Sequence, residues 1–126
     1  MNKVIIESPL SGDFKRNIRY ARLCMVDCLR RNEAPYASHL LMTQVLDDLV
    51  PEARTLGMQC GFVWAEVADV IAVYQDLGVS NGMKLGLQQR ARQHIPVEYR
   101  NLPKDLMDLL DSEKSSEVNP TVGIEN

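Results

Sequence analysis

Asp69-Val70-Ile71-Ala72-Val73-Tyr74 is the stretch that decides the fold. Its apolar residues run without a polar interruption and include three β-branched side chains, bounded by Asp69 before and Gln75 to Gly78 after. A short continuous run of this kind suits a central strand covered on both faces, as in a parallel sheet.

Upstream, Lys3 to Ser8 is a second β-branched apolar run that stops at Pro9, and it predicts the first strand. Ser8-Pro9-Leu10-Ser11-Gly12-Asp13 is turn chemistry, with Asp13 placed to cap the next element. Phe14, Ile18, Ala21, Met25, Val26 and Leu29 recur near the helical period, so Phe14 to Arg31 reads as one amphipathic helix with those residues on its buried stripe. Ala34-Pro35-Tyr36-Ala37 predicts a second short strand, followed by a loop at Ser38-His39. Leu40 to Leu49 has helical spacing, and Pro51 fits the first turn of a further helix reaching about Val67. That helix holds Gly57 and Gly61, which each cost about 1 kcal/mol in a helix interior and so imply close packing or close approach of a ligand.

Downstream, Ser80-Asn81-Gly82 opens a helix from about Met83 to Gln93. A last strand at Ile95 to Tyr99 and a short amphipathic helix from Pro103 to Leu110 complete the pattern. Alternating strands and helices predict an α/β fold: a doubly wound, mainly parallel sheet of four to five strands with helices on both faces. Residues 1–110 read as one domain and residues 111–126 as a polar, flexible tail.

The composition bounds the function. A chain of 126 residues that is 45% hydrophobic builds one core. A net charge of −3 gives no diffuse basic field, so nucleic acid is not expected as a partner. Lys15, Arg16, Arg19, Arg22, Arg30 and Arg31 make a local basic run, plainly read as a solvated helix face, while Asp105 to Glu117 is mainly acidic. No apolar run approaches the roughly 20 residues of a membrane helix, and the opening stretch is too short for a signal peptide, so a cytoplasmic protein without a membrane partner is expected. Cys24, Cys28 and Cys60 match no zinc spacing and read as free, buried thiols, with no metal and no cofactor implied.

In an open parallel sheet, ligands lie beyond the carboxyl ends of the strands where strand order reverses. The loops there are Ser8 to Asn17, Ala37 to Gln44 and Tyr74 to Met83. The first offers Gly12 and a helix start, without GxGxxG or a Walker motif. Ser80-Asn81-Gly82-Met83 offers a second helix start, and two helix N-termini on one rim would together favour an anion. His39 is expected at the same rim and His94 at the far end. Asp47, Asp48 and Arg54 cluster at a helix junction, where capping and a surface ion pair are the simpler reading and recognition of a phosphate or hydroxyl the sharper one.

The ordered set Ser8-Pro9-Leu10-Ser11-Gly12-Asp13, Asn17, His39, Arg54, Asp69 and Ser80-Asn81-Gly82-Met83 resembles the nucleoside 2-deoxyribosyltransferase-like superfamily, and within it the small uncharacterised phage and bacterial domains. The resemblance spans roughly Lys3 to Leu102. It implies a five-stranded doubly wound fold and a pocket for a nucleoside or nucleotide, often in a homo-oligomer. The expected ligand-binding residues are Pro9, Leu10, Gly12, Asp13, Asn17, His39, Arg54, Tyr74, Ser80, Asn81, Gly82 and Met83. In the enzymes of that superfamily a glutamate on the helix after the Gly-Met turn attacks the sugar; here Gly86 holds that place, flanked by Leu85 and Leu87. A glycine cannot act as a nucleophile. Glu66 and Asp69 lie too far away on this topology to substitute. The expectation is therefore binding of a nucleotide-derived molecule without catalysis, as in phage proteins that sequester cyclic-nucleotide or ADP-ribose-type immune signals in the host cytoplasm. An N-glycosidase or deoxyribosyltransferase is the alternative, and a scaffold whose arginine-rich helix meets an acidic partner is a third.

Overall fold

The computed structural model describes residues 1–112. In chain order the elements are β1 (Lys3–Glu7), α1 (Phe14–Arg30), β2 (Ala34–Tyr36), α2 (Ser38–Leu41), α3 (Pro51–Ala65), β3 (Val70–Tyr74), α4 (Asn81–Arg92), β4 (Val97–Arg100) and α5 (Lys104–Asp111). A 3₁₀ turn, Met42–Gln44, continues from α2. The tail expected from residue 111 lies, beyond Ser112, outside the described residues.

The four strands form one all-parallel sheet in the order β2-β1-β3-β4. Strand order therefore reverses between β1 and β3. Ile5 stands beside Ile71 and Ile6 beside Ala72 in that central pair. Because side chains alternate along a strand, Val4, Ile6, Ala72 and Tyr74 bury with α1 and α5 on one face. Ile5, Ile71 and Val73 bury with Ala65 of α3 and Met83 of α4 on the other. This is the doubly wound architecture with helices on both faces.

Two local expectations are corrected. The first concerns α1, where Phe14 and Leu29 are exposed while Asn17, Tyr20, Cys24, Asp27 and Cys28 turn inward. The buried face is rotated from the apolar stripe because polar partners wait on the sheet. Tyr20 donates to Asp76 Oδ2 at 2.6 Å and Tyr74 donates to Asp27 Oδ2 at 2.6 Å. Satisfied polar groups can be buried at little cost, so periodicity of apolar residues alone misplaces the face.

The second concerns Leu40 to Leu49, which is not a helix. The helical turns start earlier, at Ser38, and end at Gln44. Asp47 then accepts the backbone N–H of Leu49 at 3.0 Å, an Asx turn that competes with helix formation. Pro51 opens α3 as expected. A Cβ on Gly57 would stand 3.6 Å from Met42 Cβ, so the glycine lets the 3₁₀ turn pack closely on α3.

The basic run and the acidic stretch find each other. Arg16 pairs with Asp111 at 3.1 Å and Arg30 with Asp105 at 2.8 Å, while Arg19 donates to the carbonyls of Leu109 and Leu110 at the end of α5. Each exposed pair is worth little, but together they set α5 along α1.

A buried ion pair ties β4 to the end of α1. Arg100, whose side chain is 3% exposed, donates through Nη1 and Nη2 to Glu33 at 2.7 and 2.8 Å. It also donates to Glu98 at 2.9 Å and to Tyr74 Oη at 3.3 Å. Hydrogen bonds from Arg100 hold the Glu33 carboxyl below its ordinary range. Cys28 lies in the same network, and burial pushes its thiol up to about 11, which leaves it protonated and unreactive at neutral pH.

Glu33→Gln leaves the guanidinium buried with half its partner lost and should lower unfolding free energy by about 3 kcal/mol at pH 7. Because the folded state depresses the Glu33 pKa, its stabilisation is full above the ordinary glutamate range and fades as pH falls through the folded value. The gap between wild type and Glu33→Gln, followed by urea unfolding, should accordingly narrow toward low pH; a gap independent of pH would contradict this account.

Candidate ligand-binding site

Beyond the carboxyl ends of β1, β2 and β3 lies a hollow that opens to solvent. It sits at the strand-order reversal between β1 and β3, where the chain leaves the two strands toward opposite faces and, among the described residues, no element fills the gap. Its floor comes from Glu7, Ser8 and Leu10, its near wall from Ser38, His39 and Thr43, and its far wall from Arg54, Met58 and Phe62 of α3. Ser80, Gly82, Met83 and Gly86 close it from α4.

Of the expected ligand residues, Leu10, His39, Arg54, Ser80, Gly82 and Met83 line this hollow. Both helix-start turns thus reach one rim. The others do not line it. Asn17 is buried and donates its side-chain amide to the carbonyls of Leu10 and Ser11 at 3.1 and 2.9 Å, so it holds the loop in shape. Asp13 accepts the Arg16 N–H and caps α1. Gly12 takes a φ of 97°, the left-handed turn that reverses the chain into α1. Pro9 is buried. Asn81 starts α4 on its exposed side.

Tyr74 is a correction. It shares the parity of Ala72 and not of Val73, so its ring is fully buried on the α1 face and its hydroxyl is committed to Asp27. The side chain is not at the hollow. Asp48 does line it, whereas Asp47 is spent on its Asx turn.

Sequence reasoning placed Ser8 in a rim loop but missed its partner. Its hydroxyl lies 2.7 Å from His39 Nε2, across a separation that no local pattern reveals. Burial lowers the His39 pKa to about 4, so the ring is neutral at pH 7. Neutral imidazole can accept the Ser8 proton or donate to its oxygen, but it brings no positive charge.

Sequence reasoning also missed Glu7. As the last residue of β1 it shares the parity of Ile5, which directs it to the α3/α4 face. A Cβ built on Gly86 would stand 3.4 Å from Glu7 Oε1 and 3.6 Å from Oε2. The carboxylate therefore lies within van der Waals contact of where a side chain at residue 86 would begin. An acid at the end of an otherwise apolar buried strand, read with the two-residue alternation, was the available signal.

Arg54 reaches over the first turn of α4, its Nη2 being 3.4 Å from where a Cβ on Gly82 would stand. Ser80 Oγ accepts the Met83 N–H at 3.2 Å, capping that helix and ordering the amides beside the guanidinium. Cation and helix dipole act together there. Among the described residues no group of His, Cys, Asp and Glu could hold a metal ion.

The molecule is thus an open parallel α/β domain with a polar and apolar hollow at its switch point. The model of a domain family of unknown function, DUF7768, matches residues 2–100, and the chain belongs to that family. The match ends with β4, so every element lining the hollow falls inside it and α5 outside. No curated protein matches the chain in sequence.

Because the folded His39 binds its proton less readily than an unfolded one, its burial costs stability progressively as pH falls from about 6.5 toward 4. His39→Gln should remove that part of the acid sensitivity. The wild-type ring signals, followed by NMR, should stay at their neutral shifts down to pH 5; a midpoint near 6.5 would show that the ring is not desolvated.

Proposed function

We propose that the hollow binds a nucleotide-derived small molecule. The observation that carries the reading is the division of its lining into three chemistries. Met42, Leu46, Met58 and Phe62 supply an apolar side for a base. Ser8, Ser11, Ser38 and Thr43 supply hydroxyls for a sugar. Arg54 beside the capped start of α4 supplies positive charge for a phosphate. The resemblance to nucleoside 2-deoxyribosyltransferase-like domains supports the same ligand class. Sequestration of a cyclic-nucleotide or ADP-ribose-type signal is the form of this reading in which the ligand is held and not altered.

A second reading has one specific observation in its favour. Gly86 removes a carboxylate from α4, but Glu7 brings one from β1 into the adjoining space. A glycosidic bond held there would have an acid within the site after all, and Glu7 could attack the anomeric carbon or polarise a water against it. Under this reading the domain is an N-glycosidase or transferase with its acid relocated.

Two measurements test both readings. Calorimetry against nucleoside mono- and diphosphates, cyclic nucleotides and ADP-ribose should find at least one ligand, and Arg54→Ala should weaken a phosphorylated one at least tenfold while hardly affecting the parent nucleoside. Equal loss for both would remove Arg54 from phosphate recognition, and no uptake of any ligand would end the binding proposal. Chromatography of the same mixtures distinguishes the readings: intact ligand supports sequestration, whereas released base that disappears in Glu7→Gln, with binding kept, supports turnover.

A further inference from the structure

Helix α3 has two working sides. One lines the hollow through Ala53, Arg54, Gly57, Met58 and Phe62. The other faces away from the domain and is also apolar. Leu56, Cys60 and Val63 follow one another at spacings of four and three, with Trp64 beside Val63, and Leu49 and Val67 lie in the turns just before and just after the helix. Alternating three- and four-residue steps form the seam by which one helix pairs with another.

Among the described residues that seam has little cover. Only Gly61 and Ala65 of α3 are buried, although the helix is apolar on most of its circumference. A helix apolar all round is ordinarily enclosed. Here Leu49, Leu56, Val63, Trp64 and Val67 leave 91%, 49%, 64%, 54% and 58% of their surface open. With ordinary side-chain areas that is on the order of 450 Å² of largely apolar surface, more than half of the roughly 800 Å² each partner gives to a standard interface. Trp64 is held in place by Tyr36 of the edge strand β2, with ring centroids 5.7 Å apart, so the patch is pre-formed.

We infer that this face of α3 is the contact of a two-fold dimer, with α3 of a second copy of this chain as its occupant. A seam without charge is complementary to itself, and a two-fold axis pairs one surface with the same surface. Glu52 and Glu66, exposed on one flank, together with the chain's net charge of −3, argue against an anionic lipid surface in that place. In an antiparallel pair the residue at the middle of the seam meets its own copy, and here that residue is Cys60, which is only partly buried while Cys24 and Cys28 are buried.

The test is sedimentation equilibrium of the full chain. The expected mass is twice 14.2 kDa at micromolar concentration, and Val63→Glu should raise the dimer dissociation constant at least 100-fold with an unchanged far-UV circular dichroism spectrum. A short bis-maleimide should link wild-type chains through Cys60 and fail with Cys60→Ser, which tests the same contact in a protein with its apolar seam intact. A wild-type chain that stays monomeric at all concentrations, whether or not it binds anionic vesicles, overturns the inference. So does a dimer that survives Val63→Glu and is not linked through Cys60.

Discussion

A parallel strand covered on both faces has no side left for water, and the central pair β1 and β3 imposes that condition on everything around it. Each residue of Val4 to Ile6 and of Ile71 to Tyr74 must be received by one helical layer or the other. The two-residue alternation divides them: Tyr74 is sent to the α1 layer and Ile5 to the α3/α4 layer. The α1 layer accepts a phenol by supplying Asp27 and Cys28 around it, and Arg100 reaches it from the neighbouring strand β4. The other layer accepts aliphatic residues lower down and opens into the hollow where the strands end. Neither layer could be exchanged for the other without leaving buried polar atoms unpaired.

The hollow follows from the same pair. Since β1 leads to one face and β3 is reached from the other, the chain departs from the switch point in both directions and leaves it uncovered. What lines that gap is set by the last residue of each strand and the first turn of each helix. Glu7 ends β1 with the parity that aims it at α4, and Gly86 leaves room to receive it. Ser8 begins the next loop and meets His39, which the first turn of α2 brings forward. An acid, a neutral hydroxyl–imidazole pair and a cation over a helix start are thereby gathered from four parts of the chain.

Much of the architecture was legible in local pattern. The runs Lys3 to Ser8 and Val70 to Tyr74 announced the central strands, Pro51 marked the start of α3, and Ser80 marked the cap of α4. The buried face of α1 was not legible, because apolar periodicity ranks Phe14 and Leu29 above Asp27 and Cys24, and only contact with Tyr74 and Asp76 makes the polar residues the interior ones. The segment Leu40 to Leu49 misled for a related reason. Its leucines have helical spacing, but a local Asx turn at Asp47 satisfies the backbone differently.

The amino-acid sequence by itself determined the alternation of strands and helices, the doubly wound class and three of the loops that meet at the rim, because these depend on periodicity and turn chemistry between near neighbours in the chain. Only the tertiary structure decided that Glu7 fills the space beside Gly86, that Ser8 partners His39 and that Arg100 closes on Glu33. Those pairs are separated by dozens of residues, and each exists because the β1–β3 register and the layer assignment bring its members within hydrogen-bonding or van der Waals distance.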